Sequence, residues 1–134
     1  MRGEPKGEGP RVRALTRKGV TMVVTHPLSD ELVEVIADRF RALAEPTRIK
    51  LLDRLRDGEA SVLDLTEAIG TTPQNVSKHL GLLHQAGLVR RRKHGNYAYY
   101  AIADSDVFLL CEAVCGSLQR HAEGRQRVVA GAWV

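Results

Sequence analysis

The chain has few aromatic residues and few cysteines, and these two features limit the kind of core and the class of fold that it can form. Aromatic residues make up 4% of the 134 positions, so leucine, valine, isoleucine and alanine must fill the interior. The two cysteines fall in one predicted helix and cannot supply a disulfide framework. The sequence therefore predicts a globular domain with an aliphatic core, and it excludes a small domain held together by disulfides.

Long apolar runs and catalytic motifs are also missing. No apolar stretch approaches the roughly 20 residues that span a bilayer, and no signal-peptide pattern opens the sequence. We therefore expect a cytoplasmic protein without a membrane partner. The chain shows no Ser-His-Asp set, no glycine-rich phosphate loop and no spaced metal ligands. An enzyme is the least favoured functional class.

Positive charge exceeds negative charge only modestly, and its placement says more than its sum. Twenty Lys and Arg residues against sixteen Asp and Glu residues give a formal charge of +4. Four cations follow one another from Arg90 to Lys93 with no acidic residue among them. Such a run repels itself unless an anionic partner offsets the repulsion, which favours a nucleic acid as the partner.

The chain is predicted to hold one folded domain with a tail at each end. We expect a disordered basic tail over residues 1–27, the folded domain over residues 28–122 and a second tail over residues 123–134. Glycine and proline break any periodicity near the start, and arginine and lysine make this segment basic. The first tail would either add non-specific phosphate contacts or precede the native product, since Met22 could initiate the compact part.

Four helices are predicted between Ser29 and Gly87. The first begins with Ser29 or Asp30 as its N-cap, and the second opens with Pro46, which is tolerated in a first turn. The third runs from about residue 61 to residue 69, and the fourth follows Thr72 as N-cap and ends at Gly87. Apolar residues at helical spacing are expected to form the core, and they are Leu32, Ile36, Phe40, Leu43, Ile49, Leu52, Leu55, Leu63, Leu65, Ile69, Val76, Leu80 and Leu83.

A basic β-hairpin and a last helix complete the predicted domain. Val89–Lys93 and Tyr97–Ala101 are the expected strands around the turn His94-Gly95-Asn96, where glycine and asparagine supply positive φ. The last helix, from Asp106 to about His121, is apolar over more than half of its circumference, so we expect it to pair with its twin. The fold class is mainly α with a small β-hairpin: a winged helix-turn-helix in the order α-α-α-α-β-β-α, dimerising through terminal helices.

The fourth predicted helix is suited to the major groove of DNA. Turning Val76, Leu80 and Leu83 inward places amide, hydroxyl and basic side chains outward, and such groups read base edges and phosphates. A solvated helix face would show the same pattern, but the adjoining basic hairpin favours DNA. The small Gly81 would allow close approach to the groove. The DNA-contacting residues predicted from the helix and the hairpin are Thr71, Thr72, Gln74, Asn75, Ser77, Lys78, Arg90, Arg91, Arg92, Lys93 and His94.

Three tyrosines in the hairpin allow two interpretations. Tyr97, Tyr99 and Tyr100 would stack on single-stranded bases, or they would pack the hairpin onto the domain. Packing is the favoured interpretation.

With these elements in place, the chain resembles the ArsR–SmtB family of bacterial metal- and stress-responsive repressors. The resemblance is carried by residues 40–48, residues 72–80 and residues 83–89 with the hairpin, and it covers residues 32–121. It implies a homodimer that binds an imperfect palindrome in double-stranded DNA, with the fourth helix in the major groove and the hairpin as a wing, until an inducer releases the DNA. It also implies DNA contacts from Gln74, Asn75, Ser77, Lys78 and His79.

The inducer sites common in this family do not carry over to this sequence. One site is a Cys-x-Cys pair, and its positions here hold Ser61 and Leu63. A second is a zinc site shaped Asp-x-His and then His-x-x-Glu, whose positions here hold Asp104, Asp106, Ser117 and Arg120. An arginine in place of a carboxylate ligand repels a cation, so a zinc sensor of that type is not expected.

Cys111 and Cys115 lie one helical turn apart, and three interpretations of the pair stay open. They would pack as small apolar residues at the dimer seam. They would bind a thiophilic metal or metalloid with a thiol borrowed across the dyad. Or they would sense oxidants or reactive sulfur through a disulfide or polysulfide link. DNA binding itself requires no cofactor, and the alternative function is a constitutive DNA-organising protein with no inducer site.

Overall fold

The computed structural model describes residue 9, residues 11–17 and residues 19–122, and the chain divides into two compact units. The first unit ends at Arg41 and the second begins at Ala42. The tail expected over residues 123–134 lies outside the described residues. The elements in chain order are β1 (Arg11–Arg17), β2 (Val20–His26), α1 (Asp30–Leu43), α2 (Pro46–Leu55), β3 (Ala60–Ser61), α3 (Val62–Ile69), α4 (Pro73–Gln85), β4 (Val89–His94), β5 (Tyr97–Ile102) and α5 (Asp106–His121).

The first unit holds an antiparallel hairpin where the sequence analysis expected a disordered tail. β1 and β2 pair along their whole length, from Arg11 opposite His26 to Arg17 opposite Val20. β2 is rich in β-branched residues, which favour extended backbone, and Gly19 adopts a φ of 76° in the turn. The expectation of disorder is therefore corrected for residues 11–26, where β-branched content outweighs the glycines and prolines that precede it.

α1 begins as predicted but keeps its apolar stripe on the surface. The Ser29 hydroxyl oxygen accepts a hydrogen bond from the Leu32 amide at 3.2 Å, which satisfies one donor of the first turn. No residue of α1 is buried, and the Phe40 side chain is 55% exposed. Of the stripe expected to lie in a core, Leu32, Ile36 and Phe40 are exposed, whereas Leu43 is half-buried and packs against the core of the second unit.

A leucine-rich cluster forms the core of the second unit. α2 contributes Leu51, Leu52 and Leu55, and α4 contributes residues that the sequence analysis placed inward, Val76, Leu80 and Leu83. Two predicted core residues are corrected: Ile49 and Leu63 are 46% and 57% exposed. Apolar spacing on α2 fits two adjacent helix faces, and packing against α3 and α4 selects the face that carries Leu51.

The two helices of the helix-turn-helix are closed by side-chain caps. Ser61 and Asp64 form a capping box at the start of α3, with the Asp64 amide donating to the Ser61 hydroxyl at 3.1 Å. Gly70 ends α3 with a φ of 79°, and the Thr72 hydroxyl accepts from the Asn75 amide at 3.1 Å. These contacts fix the path of the chain between α3 and α4, and they confirm the predicted cap at Thr72.

A three-stranded sheet in the order β3-β5-β4 forms the wing. β4 and β5 pair from Val89 opposite Ile102 to His94 opposite Tyr97, as the predicted hairpin requires. The two residues of β3 add a strand that the sequence analysis did not predict, because two residues show no periodicity. They tie the wing directly to the start of α3.

α5 presents apolar residues on its outer side. Val107 is buried, whereas Leu109, Leu110, Val114 and Leu118 are each about two-fifths exposed or more. Nowhere in the described part of the chain is a helix both long enough and apolar enough to cross a bilayer.

Candidate nucleic-acid interface

α4 exposes one continuous polar stripe while its opposite side is fully buried. Val76, Leu80 and Leu83 have no exposed surface, which turns the other side of the helix to solvent. A Cβ atom added at Gly81 would meet no atom within 4 Å, so this position lies in open space. The exposed residues of the stripe are Gln74, Ser77, Lys78, Gly81 and Gln85. Their amide, hydroxyl and ammonium groups are the types that read base edges and phosphates.

The start of α4 holds two of the predicted contact residues in local hydrogen bonds. The Asn75 side-chain amide donates to the Thr71 hydroxyl at 3.2 Å, and both residues are half-buried. The Thr72 hydroxyl oxygen is engaged as the N-cap, although the residue itself is exposed. The Thr71–Asn75 hydrogen bond therefore holds the turn between α3 and α4.

His79, predicted as a DNA contact, is buried in the structure and is held by contacts within the domain. Only 7% of the residue is exposed, and its Nδ1 atom lies 3.0 Å from Arg48 Nη1. The Nε2 atom lies 3.6 Å from a carboxylate oxygen of Glu45. Arg48 also donates from Nε to the Ala42 carbonyl oxygen at 2.7 Å. His79 thus joins α4 to the segment that connects α1 with α2.

The strand register of the wing separates its cations onto two faces. Arg90, Arg92 and His94 lie on one face of β4, and Arg91 and Lys93 lie on the other, as strict alternation predicts. All five side chains are exposed. Because α4 packs against β4, these cations adjoin the helix that carries the polar stripe.

Arg92 is held by a partner that the sequence analysis did not find. Its Nε and Nη2 atoms donate to the two carboxylate oxygens of Glu59 at 3.1 and 2.7 Å, and its guanidinium lies 4.9 Å from the Tyr99 ring centroid. This hydrogen bonding lowers the pKa of Glu59 and raises the pKa of Arg92. The two residues are 33 positions apart, and no local pattern connects them.

The tyrosines of β5 support the packing interpretation for part of the cluster. Tyr100 is buried in the core, and Tyr99 lies half-buried beneath Arg92. Tyr97, near the turn, is exposed.

Cys111 and Cys115 are both free thiols and both half-buried on α5. Burial raises the pKa of Cys111, and the neighbouring Cys115 raises it further. Within the described ranges, no three His, Cys, Asp or Glu side chains lie close enough together to hold a metal ion. A single chain therefore offers two sulfur ligands here and no complete metal site.

Comparison with known proteins places this geometry in a family. A family model described as a helix-turn-helix domain matches residues 43–92. The transcriptional regulator KmtR of Mycobacterium tuberculosis is 40% identical over 81 residues, which are 60% of this chain and 62% of KmtR, less than two thirds of its length. The uncharacterized regulator Rv0081 of M. tuberculosis is 38% identical over 102 residues, covering 75% of this chain and 90% of that protein. The arsenical resistance operon repressor of Bacillus subtilis is 33% identical over 96 residues, which cover 70% of this chain and 91% of that protein.

Two solved structures share the fold. The crystal structure of Rv0081 has a TM-score of 0.64 and 35% identity, over 72% of this chain and 98% of that chain. The second is the solution structure of Mb0332 from Mycobacterium bovis, a homodimeric winged helix-turn-helix DNA-binding domain and possible ArsR-family regulator. It has a TM-score of 0.62 and 34% identity, over 72% of this chain and 93% of that chain. The fold expected from the sequence is thereby confirmed. The chain belongs to the ArsR–SmtB family of winged helix-turn-helix transcriptional repressors, which are DNA-binding regulators and not enzymes.

Proposed function

We propose that this repressor acts as a homodimer that binds an imperfect palindromic operator and leaves it when an inducer modifies or occupies α5. The observation that carries this proposal is the exposed stripe of α4 beside the cationic wing. The polar side chains of the stripe and the cations of β4 lie on adjoining elements of the second unit, and their groups suit bases and phosphates respectively.

Within this surface we assign different tasks to the helix and to the wing. Gln74 and Lys78 would contact base edges, because they are exposed on the stripe and their groups match adenine and guanine in the major groove. Ser77 and Thr72 would contact phosphates. The wing cations, Arg90 to Lys93 and His94, would supply contacts that do not depend on base sequence. His79 is left out because it is buried.

The uncovered apolar residues support the homodimer. α1 and α5 each leave several large aliphatic side chains on the surface, a pattern typical of an interface that a second copy covers. The similar domain Mb0332 is homodimeric. A two-fold assembly presents two copies of α4, and two-fold symmetry in the protein calls for a palindrome in the operator. We place this activity in the cytoplasm, where a bacterial operator lies.

For the inducer we favour a thiophilic metal or metalloid over an oxidant. A raised pKa keeps the Cys111 thiol protonated at neutral pH and makes it a slow nucleophile, whereas a soft metal ion displaces the proton as it binds. The relative from B. subtilis is an arsenical resistance operon repressor. Two thiols fall short of the three that trivalent arsenic prefers, so a thiol of the partner subunit would complete the site.

Binding to operator and to shuffled DNA tests the central proposal. We expect fluorescence anisotropy to show a preference for the operator of at least about a thousandfold. Similar affinity for both duplexes would instead support the constitutive DNA-organising alternative. Sedimentation of the same samples should show a dimer in the free protein.

A further inference from the structure

Glu59 stands directly beside the wing, at a place where an anion is unexpected in a surface for DNA. It precedes β3, and β3 pairs with β5, which in turn pairs with β4. Its carboxylate reaches diagonally over β5 to Arg92 and occupies both the Nε and Nη2 donors. The Tyr99 ring supports the guanidinium from below.

The arrangement imitates the binding of a phosphate. A guanidinium binds carboxylate and phosphate through the same pairs of parallel N–H donors, so Glu59 occupies one of the two edges that a DNA phosphate would use. The pair is open to solvent, because the Arg92 and Glu59 side chains are 53% and 38% exposed. A phosphate can therefore reach Arg92 and displace the carboxylate.

We propose that Glu59 is an internal competitor that holds Arg92 away from phosphate in the free protein and weakens binding to all DNA sequences. The proposal rests on the proposed function, since it takes the wing as a phosphate-binding element. Glu59 limits non-specific binding, because a phosphate must displace the Glu59 carboxylate to use the Nε–Nη2 edge, and the carboxylate charge repels a phosphate that approaches Arg92 from elsewhere. A repressor gains from this because non-specific DNA competes with its operator.

The competition has a signature in the salt dependence of binding. In the wild type, the phosphate frees the Glu59 carboxylate, which then attracts cations from solution and offsets a small part of the counterion release. With Glu59→Gln no charged group is freed. The slope of log affinity against log salt should therefore become slightly steeper, by less than the roughly 0.9 that one neutralised phosphate contributes, because an isolated carboxylate holds cations far less strongly than DNA does.

The experiment measures binding of shuffled duplex DNA to the full chain over a salt series. We expect Glu59→Gln to raise affinity about two- to fivefold near 0.1 M salt, as the removal of one exposed ion pair allows. Asp57→Asn is the matched control, because it removes the same charge from an exposed position two residues away. It should change affinity less than Glu59→Gln does and should leave the slope as in the wild type.

A second background shows whether the effect passes through Arg92. In Arg92→Ala, adding Glu59→Gln should change affinity no more than Asp57→Asn does. A gain that persists there in full would mean simple repulsion of DNA by Glu59 and would overturn the proposal. Unchanged or weaker binding by Glu59→Gln alone would overturn it too.

The proposal can fail separately from the proposed function. If Arg92→Ala leaves DNA affinity unchanged while Arg90→Ala and Lys93→Ala lower it, the wing still binds phosphate and only the competition at Arg92 is rejected. Thermal unfolding of each variant checks that the fold is retained, and we expect little change because the pair is exposed.

Discussion

Arg48 Nη1 lies 3.0 Å from His79 Nδ1, and this contact connects the recognition helix to the start of α2. A guanidinium has donors only, so Nδ1 of His79 is the acceptor in this contact. The other ring nitrogen, Nε2, lies 3.6 Å from a carboxylate oxygen of Glu45. These two contacts hold α4 against its scaffold.

Replacement of His79 should destabilise the protein without removing a DNA-binding group. We expect His79→Ala to lower the free energy of unfolding by about 1–3 kcal/mol, because a buried hydrogen bond is removed. His79→Asn restores an acceptor near the Nδ1 position and should recover much of that stability. Urea denaturation measures both variants. If His79→Ala instead keeps full stability but loses DNA affinity, the buried structural role is wrong.

Gly81→Ala should separate stability from DNA binding. Alanine favours the helix over glycine by roughly 0.5–1 kcal/mol, and the added Cβ meets no atom within 4 Å. We therefore expect a higher melting temperature. DNA affinity should fall, since the methyl group lies on the stripe that we propose faces the groove. Unchanged operator binding in the stabilised variant would show that this part of α4 stays clear of DNA.

Base reading is assigned to two side chains of α4. Gln74→Ala and Lys78→Ala should each weaken the free energy of operator binding by about 1–3 kcal/mol, while affinity for shuffled DNA changes less. Each variant should also lose its preference for one particular base pair of the operator. Anisotropy with operators mutated base by base locates each contact. Gln85→Ala, on the same stripe near the far end of α4, serves as the comparison. Equal reductions on operator and shuffled DNA would assign these residues to phosphates.

The wing cations should set the salt dependence. Replacing Arg90, Arg91 and Lys93 with alanine should weaken binding to all sequences. The slope of log affinity against log salt concentration should become less steep, by up to about 0.9 for each phosphate that the variant no longer neutralises. Binding isotherms over a salt series provide the measurement. Retention of the wild-type slope would remove the wing from the interface.

Cys111 should react slowly at neutral pH. Because burial raises its pKa, the thiolate fraction is small at neutral pH and grows as the pH rises through and above the ordinary thiol value. In Cys115→Ser, alkylation by iodoacetamide should be slower in the folded protein than in urea, and the difference should narrow at high pH. Equal rates of Cys111 alkylation in the folded protein and in urea at neutral pH would contradict the raised pKa.

Operator release tests what the two thiols sense. Cd²⁺ and arsenite should release the wild type but not the Cys111→Ser, Cys115→Ser double variant, and polysulfide should act weakly on both. Fluorescence anisotropy on the operator follows release. Identical responses of wild type and double variant would assign both thiols to packing.

Local signals in the sequence were enough to predict the helix-turn-helix and the wing. The cap at Thr72, the inward Val76 and the turn at Gly95 each depend on neighbours within one or two turns of chain. The predicted exposure of Gln74 and Lys78 agrees with the structure for the same reason. Where a short segment decides the outcome, periodicity and capping are sufficient.

Interactions between distant residues could not be predicted in this way. His79 and Arg48 are 31 positions apart, and nothing near His79 in the sequence indicates a buried partner. Ile49 and Leu63 fitted the apolar pattern, but which side of a helix is covered depends on the elements packed against it. The short strand β3 exists only because β5 is there to pair with it.

Those two residues of β3 have a consequence for how the repressor can release its operator. Ser61 pairs through its backbone with Tyr99 in the wing, while its hydroxyl caps the helix that precedes the turn. The wing and α3 are thereby joined at Ser61, and α3 in turn packs against α4. We expect the inducer to move the wing, α3 and α4 of each subunit together as a rigid body. The distance between the two copies of α4 in a dimer would then change, while the structure within each subunit would stay the same.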